Sequence, residues 1–205
     1  MSALMIAITG RSGSGKSQVA EYYRNKGFQV CDADLVARQV LQPPSPCLQL
    51  LAEQFGQDIF DSSGELNRRL LADRAFATPE GTQALTDITH PEIIRRILQQ
   101  QKNAAETIFF VDGAVIVGHR LQQFCDKIIL VQTDESIAIQ RICSRDGISA
   151  EMAKRRLDAQ TPESLLKDAA DYMICNNTTT EELYQQATAI LKKLTDEDFY
   201  EKTTL

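Results

Sequence analysis

The sequence predicts an α/β protein built on a parallel five-stranded sheet, and three features predict it. Five short apolar runs recur along the chain, continuous and largely β-branched or aromatic, as strands covered on both faces are. Between most of them lie stretches with apolar residues three and four apart, and strands alternating with helices imply a parallel sheet. A bare glycine-rich turn also separates the first run from the first helical stretch.

The first run is LMIAIT, Leu4 to Thr9; the others are FQVC (Phe28 to Cys31), TIFFVD (Thr107 to Asp112), KIILVQ (Lys127 to Gln132) and YMIC (Tyr172 to Cys175). Helical spacing is clear in SIAIQRIC from Ser136 and EELYQQATAILKKL from Glu181. Between Asp32 and Thr107 no strand candidate occurs. That interval holds helical stretches punctuated by PPSP at Pro43 to Pro46 and DSSG at Asp61 to Gly64, which is room for a helical insertion. The polar ending TDEDFYEKTTL reads as a loosely held tail.

At 205 residues the chain can bury one core, or one core with a small inserted subdomain. Its 28 acidic and 22 basic residues include no basic tract. Neither nucleic acid nor an anionic membrane is an expected partner. Five cysteines, scattered and without a C-x-x-C pair, read as reduced core thiols rather than a disulfide framework or zinc site. Leu4 to Ile8 is too short for a signal peptide and no later run could span a bilayer, so a cytoplasmic location is expected.

The turn itself carries the chemistry. Gly10, four residues, then Gly15-Lys16-Ser17 fit G-x-x-x-x-G-K-[ST], the P-loop, after a strand and at the start of a helix. Glycines let backbone N–H groups turn inward around phosphate oxygens, and the helix adds about half a positive charge at its N-terminus. The nucleotide-binding set is therefore Ser12, Gly13, Ser14, Gly15, Lys16, Ser17 and Gln18. Lys16 would reach the β- and γ-phosphates of ATP, and the Ser17 hydroxyl would ligate Mg²⁺. A coincidental lysine in a glycine-rich turn is the competing explanation, and position and flanks argue against it.

Asp32 and Asp34 stand at the carboxyl end of the second strand candidate, where ligands collect in a doubly wound sheet. A carboxylate there can orient or deprotonate an acceptor hydroxyl; equally, Asp caps a helix well. For Asp32 both readings stand open; for Asp34 the same two apply, with catalysis favoured. Asp112, ending IFFVD, would hold a metal-bound water or cap its strand. T-H-P at Thr89 to Pro91 reads, taken alone, as an N-cap threonine with proline early in a helix. His119 reads as an exposed loop imidazole. No N-K-x-D guanine-reading tetrad occurs, which disfavours a GTPase switch.

Beyond these features the chain resembles the dephospho-coenzyme A kinases. The family pattern T-G-x-x-G-S-G-K-S, D-A-D-x-x-A-R, a proline-containing turn, F-G, G-x-L-x-R-R, T-H-P and A-D-x-x-I is matched in order. It is matched at Thr9 to Ser17, Asp32 to Arg38, Pro44 to Pro46, Phe55-Gly56, Gly64 to Arg69, Thr89-His90-Pro91 and Ala170 to Ile174. The resemblance implies a P-loop kinase core over residues 1–205, with a helical substrate-binding insertion at 60–105 and a lid at 141–162. It implies transfer of the γ-phosphoryl of Mg-ATP to the 3′-hydroxyl of dephospho-coenzyme A by a monomer or weak homo-oligomer. Asp34 would be the base, with Arg38, His90 and Arg95 toward the acceptor. Arg145 would contact ATP, with Arg156 second, and Asn176 and Asn177 would either offer amides to adenine or make a turn.

The match breaks after the third strand, where the family's D-x-P-L-L-F-E becomes DGAVIVGHR, with Ala114 for proline and Gly118 for glutamate. Packing by Val115, Ile116 and Val117 is expected to persist. Arg11 and Ser12 replace the family's usual small residue and isoleucine. The other functions compatible with the sequence are a different P-loop small-metabolite or nucleoside kinase, and a nucleotide-binding regulatory module without transfer activity.

Overall fold

The structure, a computed structural model, describes residues 3–114 and 116–203, the last seven by backbone alone. In chain order the elements are β1 (Leu4–Thr9), α1 (Lys16–Asn25), β2 (Val30–Asp32), α2 (Ala33–Gln39), α3 (Pro46–Phe55), α4 (Arg68–Ala75) and α5 (Pro79–Lys102). There follow β3 (Ile108–Asp112), β4 (Lys127–Gln132), α6 (Glu135–Asp146), α7 (Ala150–Asp158), α8 (Glu163–Ala169), β5 (Tyr172–Cys175) and α9 (Thr180–Thr203).

The strands form one sheet in the order β2-β3-β1-β4-β5. β1 pairs in parallel with β3, Ile6 opposite Phe110, and with β4, Ile8 opposite Ile129. These side chains are fully buried, each stabilising the fold by roughly 1.5–3 kcal/mol. From β1 the chain runs to β2 on one side of the sheet; from β3 it runs to β4 on the other. The crevice where strand order reverses therefore opens between the carboxyl ends of the adjacent strands β1 and β3, where open α/β sheets bind ligands.

Two compact units divide the chain, residues 1–31 with 101–205 and residues 32–100. In the first, the core gathers around the sheet, with the Tyr23 ring stacked 4.2 Å from that of Phe110. In the second, Val40, Cys47, Leu51, Ala52, Ile59 and Leu71 form a separate apolar cluster among helices, and the one bridge described there pairs Phe60 with Leu66.

Several sequence expectations shift. The second strand begins at Val30, not Phe28: the Phe28 ring is spent edge-on against Phe110, 5.7 Å away, and Gln29 contributes only its carbonyl to the Phe110 N–H. Thr89-His90-Pro91 does not start a helix. Pro91 lies inside α5, and the buried Thr89 hydroxyl donates to the Leu85 carbonyl one turn earlier. The start belongs to Thr78-Pro79, where the Thr78 hydroxyl accepts the Gly81 N–H, so the capping signature was real but eleven residues upstream. Cys31 and Cys47 are buried thiols as expected, whereas Cys175 is exposed. The polar ending stays helical to Thr203; Thr204 and Leu205 lie outside the described residues. Ile116 and Val117 are buried as expected, and Val115 lies outside the described residues.

Candidate active site

The turn between β1 and α1 is held from three sides. Asn176, at the end of β5 and only 3% exposed, donates its side-chain amide to the Ser14 carbonyl at 2.8 Å. Arg141 on α6 donates to the Gly13 carbonyl at 3.2 Å and to the Asn176 carbonyl at 3.0 Å. From the α7–α8 connection, Gln160 Oε1 accepts the Ser12 N–H at 2.9 Å, and the Arg11 guanidinium reaches the Leu157 carbonyl at 2.5 Å. At Gly10, φ is +154° and a Cβ would sit 2.2 Å from the Val131 carbonyl oxygen, so the turn passes over β4 at a distance only glycine allows.

What these ties leave open is an anion site. Gly15, in the left-handed conformation, stands at the N-cap of α1 without any side-chain cap bond. The Gln18 and Val19 N–H groups bond the Gly15 carbonyl, whereas the Lys16 and Ser17 amide hydrogens, in the first turn, have no partner within the helix and carry the positive end of its dipole. They face a cleft of about 410 Å³ lined by Gly13, Gly15, Lys16, Ser17, Gln18 and Arg145, among others, a volume in the range of small-ligand sites. Lys16 Nζ crosses the crevice between β1 and β3 to Asp112 Oδ1, 3.0 Å away. Asp112 is 9% exposed, so in this structure each charge neutralises the other.

Other sequence-picked residues are placed variously. Ser17 and Gln18 are exposed. Ser12 and Ser14 belong to the turn, but Ser14 is buried and contributes its carbonyl to the scaffold. Arg145 forks onto Asp146 at 2.7 and 2.9 Å, with one amine 3.4 Å from the Ser12 hydroxyl. Arg156 from α7 meets the same carboxylate. Asp146 is consequently held down to about 2, first by the Arg145 hydrogen bonds and then by Arg156. Asn177 has its side-chain amide committed to Thr133 and Asp134; it is Asn176 that lines the cleft. Arg141 escaped notice as a site residue in the sequence, although it stands one helical turn before Arg145 on the same face of α6. His119 is exposed.

In the helical unit, Asp32 is an N-cap: its side chain accepts the Leu35 N–H at 2.9 Å, the bond that the capping reading expects. Asp34 and Arg38 are exposed on α2, one turn apart. On α5, His90 is partly exposed and Arg95 is exposed beside Glu92, which is 7% exposed. The Glu92 carboxylate accepts from Arg95 at 2.6 and 2.8 Å and from Arg96 at 2.8 Å. Those bonds, Arg95's foremost, outweigh the desolvation that opposes them and hold Glu92 at about 2 against an ordinary 4.5. A depressed carboxyl stabilises the fold fully above its unfolded value and loses that contribution as pH falls toward the folded one. Urea titrations between pH 5 and 2.5 are therefore expected to show wild-type stability falling more steeply than that of Glu92→Gln; parallel curves would refute the pairing.

Among the described residues no group of three or more His, Cys, Asp or Glu could hold a metal, and no helix is long and apolar enough to cross a membrane. The oxygen donors present, Ser17 lining the cleft and Asp112 paired with Lys16, are of the kind that suits a hard cation arriving with phosphates and keeping water ligands.

A parallel sheet whose first βα turn is an uncapped P-loop, its lysine meeting a carboxylate at the neighbouring strand end, defines a P-loop nucleotide-binding fold. A shikimate kinase from Acinetobacter baumannii shares the fold with a TM-score of 0.55 at 14% identity, over 95% of this chain and 94% of the other. More specifically, the family model described as dephospho-CoA kinase matches residues 4–182. A dephospho-CoA kinase from Corynebacterium glutamicum is 35% identical over 93% of this chain and 97% of its own length. The solved dephospho-CoA kinase from Campylobacter jejuni superposes with a TM-score of 0.68 at 25% identity, covering 95% of this chain and 98% of that one. The chain belongs to the dephospho-CoA kinase family.

Proposed function

We propose that this protein phosphorylates the ribose 3′-hydroxyl of dephospho-coenzyme A with ATP, giving coenzyme A and ADP. The observation that carries the reading is the uncapped α1 N-terminus with Lys16 at the switch-point crevice, in a chain of this family. Backbone amides of Gly13, Gly15, Lys16 and Ser17 hold the phosphates, with Ser12, Ser14 and Gln18 in the same turn. Lys16 exchanges Asp112 for the β- and γ-phosphates and follows the charge during transfer, since positioning and electrostatics supply most of phosphoryl-transfer catalysis. Arg145 supplies a forked donor from the far side, with Arg156 held to the same aspartate. Mg²⁺, ligated by Ser17 and through water by Asp112, would offset the negative charge of the phosphates. Asp34 orients the incoming hydroxyl and accepts its proton, and Arg38, His90 and Arg95 bind the acceptor.

In the same reading residues 60–105 are the substrate-binding insertion, and residues 141–162 close over ATP as a lid, excluding water as a competing acceptor. The protein works in the cytoplasm as a monomer or weak homo-oligomer.

A transfer assay with labelled ATP tests the acceptor directly: label on dephospho-coenzyme A and none on uridine is expected, and label on uridine alone would overturn the reading. Asp34→Asn is expected to keep ATP affinity while kcat falls about a hundredfold or more, as loss of a positioned base does. Unchanged turnover would remove Asp34 from the mechanism.

A further inference from the structure

Arg95 is an unusual exposed arginine. Its side chain is 60% exposed, a setting in which such a side chain ordinarily samples many rotamers. Here three donors are already engaged. Nε and Nη2 bond the two oxygens of Glu92 at 2.6 and 2.8 Å, and Nη1 bonds Gln99 Oε1 at 3.2 Å. Glu92 is itself pinned: it is 7% exposed, takes the Arg96 Nε–H at 2.8 Å, and Arg96 reaches on to the Pro44 carbonyl at 3.4 Å. A guanidinium has five N–H donors, so one hydrogen remains on each terminal nitrogen of Arg95. Those two form a fork suited to a phosphate.

We propose that Glu92 is a positioning residue for the acceptor: it holds the exposed Arg95 guanidinium in one orientation to receive an anionic phosphate group of that substrate. The proposal rests on the reading of dephospho-coenzyme A as acceptor and of Arg95 as one of its ligands. Glu92 has two effects of opposite sign on an anion. Its charge offsets one of the two arginines, which weakens attraction; its grip removes the ordering cost that a free side chain incurs on binding. Immobilising one rotamer-rich side chain is worth about a two- to tenfold change in affinity. The charge effect at an exposed site is screened by water and salt. The grip therefore dominates, and the sign of the change on removing the carboxylate decides between the two.

The experiment is steady-state kinetics on the full chain, varying dephospho-coenzyme A at saturating ATP, for wild type, Glu92→Gln, Arg95→Ala and the double variant. Glu92→Gln is expected to raise KM for dephospho-coenzyme A about three- to tenfold, with kcat and KM for ATP unchanged. Arg95→Ala is expected to raise the same KM at least as much, and the double variant to match Arg95→Ala alone, since a residue acting through Arg95 has nothing left to act on. A lowered or unchanged KM in Glu92→Gln overturns the proposal, as does a double variant clearly worse than Arg95→Ala. If Glu92→Gln does not fold, the exposed Gln99→Ala decides instead: a rise in the same KM supports the grip on Arg95, and no change overturns it. An active wild type whose KM is untouched by Arg95→Ala sinks this proposal alone, whereas a wild type that never phosphorylates dephospho-coenzyme A sinks the functional reading and this proposal together.

Discussion

Replacing Gly15 with alanine is expected to weaken ATP binding by about a hundredfold or more while leaving the protein folded. Gly15 has φ of +92°, and a Cβ there would lie 2.0 Å from Asn176 Nδ2 and 3.1 Å from Gln18 Oε1. The first distance is far inside contact, and neither party can yield cheaply. The backbone at +92° is strained for any residue with a Cβ. Asn176 is buried and its amide nitrogen is the donor that fixes the Ser14 carbonyl. Pushing it away leaves a buried polar group unsatisfied, at a cost of about 1–3 kcal/mol, and releases the turn that aims the amide hydrogens. The sheet and its apolar core do not involve this contact, so loss of stability should be modest beside the loss of binding. Calorimetric titration with ATP alongside thermal unfolding separates the two. Near-normal affinity in a folded Gly15→Ala protein would show that the cradle does not need this geometry.

Lys16→Ala is expected to lower kcat/KM for transfer by about a thousandfold, with ATP affinity also reduced. Lys16 is more than a missing donor to phosphate. Its amine lies 3.0 Å from Asp112 Oδ1, and that aspartate is 9% exposed. Without the lysine a largely buried carboxylate loses its counter-ion, which is unfavourable in itself, and an unpaired negative charge there would repel the incoming polyphosphate. The corollary is directional: with Mg²⁺ withheld, Lys16→Ala with Asp112→Asn should bind ATP more tightly than Lys16→Ala alone, and with Mg²⁺ present it should remain slow, because the positive charge that Lys16 supplies during transfer is still absent. Full transfer activity in Lys16→Ala would overturn the assignment of the cleft as the phosphate site. No recovery of ATP binding in the double variant would show that the Asp112 charge is not felt there.

Much of the fold was legible because the parallel strands are buried on both faces and so write themselves as continuous apolar runs. β1, β4 and β5 match their runs at both ends. β2 was harder, because in a three-residue strand one aromatic contact decides where pairing starts. The phosphate turn was legible because its demands are local, glycines and a lysine at fixed spacing. Thr89-His90-Pro91 misled because the pattern at a helix start is also tolerated inside a helix when the threonine hydroxyl bonds the previous turn, as it does to Leu85.

What escaped was the support around the turn. Asn176, Arg141 and Gln160 come from three segments more than 120 residues away in sequence; the sequence suggests an adenine contact or a turn for Asn176 and only a lid for Arg141 and Gln160, not a brace for the phosphate turn. By itself the sequence determined the α/β class, the position of the phosphate-binding turn and the family pattern, because strand burial and backbone geometry at glycine act over a few residues. Only the tertiary structure decided that Asn176 braces the turn while Asn177 braces the β4–α6 loop, that Asp32 caps a helix, and that Lys16 faces Asp112. Each of those is a pairing of one polar group with another, and a buried polar group or charge is stable only where the fold brings its partner within hydrogen-bonding distance.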